Sequence, residues 1–325
     1  FEAGFLADTL KGTSNLFSRG DILLPVEDEK WDIIEVKSAT QVKDINIHDV
    51  SFQKYVYEKA GLKIRNCILM HINNEYVKNG EIEPKELFIQ TDITEKVKEF
   101  SENIEENIKK MFEIIEGPEP DFQLDDILTI EYDNICLDEF MKNLPEDNVF
   151  EFYRMFKTKR VDLCKEGCVK MVDISEDVKL NDKQKIQRRL AFDGGKHIDK
   201  LAIKNFLNNL QYPIYYLDFE TINPAIPKYD GMKPYQRIPF QFSLHIQETE
   251  GGELKHISFL AEGMSDPRPK FMQALKDNLD EKGSVLVYNQ SFEKGVMNEC
   301  SDALPEFKEW YLENGVNLFS GSKVT

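Results

Sequence analysis

The run W-D-I-I-E-V-K at 31–37 carries an acid and a lysine two residues apart. A strand's two-residue period puts Trp31, Ile33, Glu35 and Lys37 on one face and Asp32, Ile34 and Val36 on the other. Asp21, in G-D-I-L-L-P-V, falls on the neighbouring strand if the intervening E-D-E-K makes a hairpin turn. Two carboxylates on adjacent strands can chelate a hard divalent cation such as Mg²⁺ or Mn²⁺. A lysine beside them can orient or deprotonate a water and offset charge on a phosphate, which is the chemistry of phosphodiester hydrolysis. On the following helix Gln53 and Tyr57 stand four residues apart, share a face and could touch the same substrate. The E-x-K spacing alone is weak, because charged pairs are common on strands. The ordered set of G-D, E-V-K and Q-x-x-x-Y is far more specific.

A second pair of acids lies in Y-Y-L-D-F-E-T at 215–221. Asp218 and Glu220, two apart on an apolar strand, point to the same face. Like charges so placed repel, and burying them is costly without compensation. Either they hold a metal or they lie in solvent at a strand end.

The elements that must position these residues are readable from periodicity. Residues 20–75 read as strand, turn, strand, helix, strand, with the helix D-V-S-F-Q-K-Y-V-Y-E-K-A-G stopping at Gly61. That alternation predicts an α/β or α+β arrangement around a mixed sheet. Over 92–116, Val97, Phe100, Ile104, Ile108, Met111 and Ile115 form one stripe, which predicts one amphipathic surface helix. G-P-E-P-D-F-Q-L-D-D then reads as a linker. Residues 150–200 read as short basic helices, and strands return after about residue 205. This divides the chain into 1–145, a helical connector 146–204, and 205–325.

The net charge of −18 argues mildly against tight, non-specific nucleic-acid binding. Its distribution softens that argument, because residues 81–150 hold 21 acids and 6 bases while 151–200 hold 13 bases and 9 acids. The five scattered cysteines suit a reducing cytoplasm better than a disulfide framework. No apolar run approaches the ~18–20 residues of a membrane span, so no membrane partner is expected. The chain opens on Phe1 without a signal-like segment and reads as a piece of a longer protein. Isolated histidines His48, His71 and His245 read as satisfied core or face residues. Cys67, inside an apolar strand, reads as a small core residue.

The residues Asp21, Glu35, Lys37, Gln53 and Tyr57 in this order resemble the RecB-like branch of the PD-(D/E)XK nucleases, which includes the CRISPR-associated RecB-like exonucleases. The resemblance covers roughly residues 1–145 and implies a restriction-endonuclease-like mixed-sheet domain. It further implies that Asp21 and Glu35 hold the metal, that Lys37 assists the water, and that Gln53 and Tyr57 line a DNA path. Glu2 is the candidate for the family's upstream acid. Several members of that branch bind an iron–sulfur cluster through four cysteines; Cys136, Cys164 and Cys168 do not supply that set in a compact run, so no cluster is expected.

L-D-F-E-T resembles the first motif of the DEDD exonucleases, D-x-E-x-T on a first strand of an RNase H-like fold, where both acids ligate metals. Their second motif, N-x-x-F-D, has its counterpart in N-Q-S-F-E, so the resemblance implies Glu293 as a further ligand in place of Asp. The third motif, a Tyr or His followed by Asp, is not evident before Thr325, which implies a partial RNase H-like α/β domain. The order of the two halves is similar to an uncharacterised bacterial family of predicted nucleases.

The stretch I-P-K-Y-D-G-M-K-P-Y-Q-R, with Lys233 and Arg237, suits stacking on single-stranded bases with phosphate contacts, or a structured loop. The connector is similar to a helix–turn–helix spacer. Its Lys183, Lys185, Arg188 and Arg189 could touch backbone phosphates or form a solvated face. The expectation is a cytoplasmic, metal-dependent nuclease acting on DNA. The alternatives are a non-catalytic nucleic-acid-binding scaffold built from decayed nuclease folds, and a 3′–5′ exonuclease working through the C-terminal half.

Overall fold

The computed structural model describes residues 1–8, 15–118, 135–280, 282–313 and 318–320. Phe1–Lys109 and Lys204–Thr325 together form one compact unit, and Lys110–Ile203 form a second. The architecture is mixed α/β, with strands and helices interleaved along the chain.

The first unit begins with an antiparallel hairpin, β1 (Ala3–Asp8) and β2 (Asn15–Gly20). A second hairpin follows, β3 (Ile22–Val26) and β4 (Lys30–Lys37), with Ile22 opposite Ile34. Its turn carries Asp28 and Glu29 at φ 60° and 56°, so the expected E-D-E-K turn is present. Helix α1 (Asp44–Lys59) crosses to β5 (Lys63–Ile72), which runs parallel to β4. Gly61, past the helix end, sits at φ 98°, a conformation only glycine adopts cheaply. A short turn of helix, α2 (Pro84–Leu87), leads to β6 (Phe88–Asp92), antiparallel to β5. The sheet order is β3-β4-β5-β6.

One local irregularity and one changed expectation stand out here. The β4–β5 register shifts between Trp31 and Ile33. At that irregularity Asp32 is buried and accepts Arg65 Nε at 2.9 Å and the Asn66 N–H at 3.0 Å. The extra residue lies on β5, where Arg65 and Asn66 stand opposite Asp32, so alternation along β4 is kept, and Ile33 and Ile34 are both buried. The single predicted helix over 92–116 is two, α3 (Thr94–Ser101) and α4 (Ile104–Ile115). Val97 and Ile108 are buried, whereas Met111 and Ile115 stay exposed. The apolar stripe is thus only partly used for packing.

The second unit contains α5 (Ile135–Lys142), α6 (Lys157–Lys165) and α7 (Asp182–Asp193), with short 3₁₀ turns at Val149–Glu151 and Met171–Asp173. Val149, Phe152, Leu163, Met171, Ile174 and Leu180 form its core. A reciprocal capping box between Asn181 and Gln184 starts α7. The predicted linker from Gly117 falls mostly outside the described residues, as does the side chain of Cys136.

After α8 (Lys200–Asn208) the chain returns to the first unit with β7 (Ile214–Ile222), β8 (Ile238–Gln247) and β9 (Leu254–Leu260), a meander of antiparallel strands. Then come α9 (Arg268–Lys276), β10 (Ser284–Val287), α10 (Gln290–Ala303), α11 (Lys308–Glu313) and β11 (Leu318–Ser320). The sheet order is β11-β10-β7-β8-β9, with β10 parallel to both β7 and β11. One face of β7 sends Tyr215, Leu217 and Phe219 into a core shared with Phe242, Phe271, Val296 and Met297. The acids of β7 are left on the opposite face. Among the described residues no helix is long and apolar enough to cross a membrane.

Candidate functional site

The antiparallel pairing of β3 with β4 brings Asp21, which immediately precedes β3, beside the end of β4. Its Oδ2 accepts the Val36 N–H at 2.8 Å. Glu35 and Lys37 project to the same face of β4, as the strand period predicts, and Lys37 Nζ donates to Glu35 Oε1 at 2.6 Å. The same ammonium donates to Asp49 Oδ2 at 2.7 Å. From α1, Gln53 Nε2 donates to Glu35 Oε2 at 2.9 Å and to Asp49 Oδ1 at 3.3 Å. Glu35 is only 6% exposed. One lysine and one amide thus clamp two carboxylates. Asp49 was not among the sequence candidates. Its position four residues before Gln53 on the same helix face is the signal that could have found it.

Burial works against the charge on Lys37, but hydrogen bonds and attraction from Asp49 and Glu35 outweigh it and push its pKa up to about 12. Lys37 is therefore an ammonium at neutral pH. It can orient a water or face a phosphate oxygen, but the expected alternative role in deprotonating water does not fit this environment.

Gln53 and Tyr57 share a helix face as predicted, yet they are 3% and 1% exposed. They therefore do not line a surface path for a substrate. The Tyr57 hydroxyl donates to the Ala3 carbonyl at 3.1 Å, and its ring packs edge-on against Phe5. Both residues crowd Gly20, where an added Cβ would meet Tyr57 Oη at 2.6 Å and Gln53 Oε1 at 2.9 Å. Gln53 Oε1 is buried without a hydrogen-bond partner. These residues support the carboxylates from behind. The Glu2 N–H donates to the Asp21 carbonyl at 2.8 Å, and its carboxylate lies 3.6 Å from Arg19.

In the second sheet Asp218 and Glu220 are exposed on β7, with no ion-pair partner among the described residues. Glu293 comes from the first turn of α10 and is only 4% exposed. Its Oε2 has no hydrogen-bond partner, and Oε1 receives a long 3.4 Å bond from the Asn289 N–H. Burial raises the Glu293 pKa above the ordinary carboxylate value, and the nearby charge of Asp218 adds to this. Glu293 and Asp218 thus belong to one electrostatic neighbourhood.

Among the described residues no group of three or more His, Cys, Asp or Glu side chains is arranged to hold a metal ion. The donors themselves are hard oxygen ligands suited to Mg²⁺ or Mn²⁺. In the first cluster, Asp21 and Glu35 would be the ligands, with the orphaned Gln53 amide oxygen behind them. In the second, the buried Glu293 carboxylate beside Asp218, with its Oε2 lacking a partner, is the kind of acid that a cation would satisfy.

The loop between β7 and β8 is held by contacts on both sides. Arg237 binds the Glu299 carboxylate of α10 through its N–H at 3.1 Å and its Nε at 2.9 Å, and lies 5.4 Å from the centre of the Phe292 ring. Lys233 pairs with Glu75 at 3.0 Å and Lys78 with Asp230 at 2.6 Å. Gly231 donates its N–H to the Lys78 carbonyl at 2.8 Å, and Lys78 returns one to Met232 at 3.0 Å. The Tyr235 hydroxyl donates to the Ser38 carbonyl, one residue beyond Lys37. The loop is structured: Lys233 and Arg237 are paired, and it straps the second sheet to the end of β4.

His71 bonds the Ile72 carbonyl and Thr91, a satisfied core histidine. His245 stacks on His256 across β8 and β9. Burial pushes the Cys67 and Cys300 thiols up to about 12, which makes them inert packing residues at neutral pH. Cys168 donates weakly to the Asp173 carbonyl.

No curated protein matches the chain. Residues 215–319 match a family described as a domain of unknown function, DUF2779, a span that begins on β7 and covers about a third of the chain.

Proposed function

We propose that this protein is a metal-dependent nuclease that hydrolyses phosphodiester bonds of DNA, with its working centre at Asp21, Glu35 and Lys37. The observation that carries this reading is Lys37 held as a cation between Glu35 and Asp49, with Asp21 fixed to the next strand by the Val36 N–H. A β-hairpin and the helix that crosses to a parallel strand supply these groups, in keeping with a restriction-endonuclease-like domain. Mg²⁺ or Mn²⁺ at Asp21 and Glu35 would polarise a phosphoryl oxygen and acidify a bound water. The chain's own contribution is to hold both carboxylates in place, through Gln53 and the Val36 N–H, and to present Lys37 as a fixed positive charge. That charge offsets the negative charge developing on a phosphate.

A second reading is favoured by the buried carboxylate of Glu293 beside Asp218, whose Oε2 has no hydrogen-bond partner. The sheet order β9-β8-β7-β10-β11, with β8 the antiparallel member beside the central strand, supports an RNase H-like domain. In this reading Asp218, Glu220 and Glu293 serve a 3′–5′ exonuclease. The two readings separate on end-labelled single- and double-stranded DNA with Mg²⁺ or Mn²⁺. The first expects Glu35→Ala and Lys37→Ala to lower the cleavage rate by at least about a hundredfold. Retained cleavage in those variants, with loss in Asp218→Ala, would move the activity to the second centre. Absence of cleavage by the wild-type chain under all these conditions would remove both.

A further inference from the structure

The second unit contains a groove of about 580 Å³ between α7 and the segment that leads into it. Val172, Val178 and Leu180 give it an apolar wall, and Lys185, Arg188 and Arg189 of α7 stand along it. Phe192, at the end of the same helix, also lines the groove and is 81% exposed. Leaving a phenylalanine ring in water brings no packing benefit.

We infer that this groove binds a single-stranded nucleic acid, phosphates lying on Lys185 and Arg189 and a base stacking on Phe192. The inference rests on the reading that the substrate is a nucleic acid, and assigns a holding site outside both candidate centres. Arg188 is committed to the rim, since it donates to the Ile174 carbonyl. Lys185 has only a loose 3.6 Å approach to the exposed Asp182. Arg189 lies 3.1 Å from His197 Nδ1, a contact that a phosphate would replace. On the same helix Lys183 sits 4.5 Å from the centre of the Tyr153 ring, so cations and rings continue along α7.

Glu176 and Asp193 share the lining, leaving three cations against two carboxylates. That balance suits a strand held by a few phosphates and a stacked base. It does not suit a duplex, which carries about one charge per 1.7 Å of axis. The location also explains why residues 151–200 hold 13 bases and 9 acids in a chain of net charge −18.

The test is fluorescence anisotropy of the full chain with labelled oligo(dT) and oligo(U), in EDTA so that no cleavage intervenes, across a salt series. Lys185→Glu/Arg189→Glu should weaken binding at least about tenfold and flatten the log–log salt slope by about 1.4, two single-strand phosphates' worth. Phe192→Ala should weaken binding by about fivefold or more at unchanged slope, while Phe192→Tyr should retain it. Circular dichroism checks that each variant folds, and Lys255→Glu on β9 serves as a charge control. Whichever oligomer responds in this way identifies the strand. Wild-type chain that binds neither oligomer, or groove variants no weaker than Lys255→Glu, would overturn the inference. Failure to cleave DNA would remove the proposed activity but leave a responsive groove standing. Cleavage with unresponsive groove variants would do the reverse.

Discussion

Lys37 sets the character of the first centre because it bridges two carboxylates at once. Its pKa is raised, so its stabilising contribution is complete below the unfolded value of 10.5 and disappears as pH rises through about 12. A Lys37→Met variant should therefore melt lower than wild type by a constant margin from neutral pH to about pH 10, equivalent to roughly 1–2 kcal/mol. The margin should shrink only above that, which thermal melts across a pH series would reveal. Glu293 is linked to pH in the same direction but in a lower range, and there it is the charged form that folding disfavours. Its folded-state pKa is raised by burial and by Asp218, so stability is greatest in acid and is lost as pH rises through the ordinary carboxylate range and above. Glu293→Gln should flatten that fall and gain about 1 kcal/mol at neutral pH. If Mg²⁺ or Mn²⁺ binds there, the metal should raise the melting temperature of wild type more than that of Glu293→Gln.

At the scale of elements, the first cluster depends on how closely β2 approaches α1. Gly20 is the point of contact, and Gly20→Ala would drive a methyl group into Tyr57 Oη and Gln53 Oε1. The expected cost is about 1–3 kcal/mol in denaturant unfolding. Cleavage should fall with it although no ligand has changed, because Gln53 would be displaced from Glu35. The strap from β7 to β8 supplies a second constraint on the same strand end. Tyr235→Phe removes only the bond to the Ser38 carbonyl and should cost about 0.5–1.5 kcal/mol. Increased proteolytic nicking of the 223–237 loop would accompany it; a variant as resistant as wild type would show that the backbone pairing with Lys78 suffices.

For the whole molecule the governing feature is uneven charge. Self-repulsion in a chain of net charge −18 should be relieved by screening, so added NaCl should raise the melting temperature up to about 0.2 M, beyond which little more is gained. The same salt should weaken oligonucleotide binding at the α7 groove. These opposite responses can be read from a single sample series.

The local sequence determined a good deal of this. The hairpin turn before Trp31, the alternation that pairs Glu35 with Lys37, the stop at Gly61 and the apolar inner face of β7 all follow from interactions between near neighbours. Asp49 joined the first cluster, and Gln53 and Tyr57 withdrew behind it, only when α1 packed against β1, β2 and β5. Burial is a property of the packed layers, which no spacing of polar residues encodes. The break between α3 and α4, and the exposure of Met111 and Ile115, likewise depended on where a partner surface ended. Arg237 and Lys233 looked like free cations until folding delivered Glu299 and Glu75 to them across long separations. Residue types and short-range periodicity thus specified which groups were available for chemistry. Tertiary structure decided which were exposed, paired or left without a partner, because desolvation and ion pairing depend on neighbours that the chain brings together only on folding.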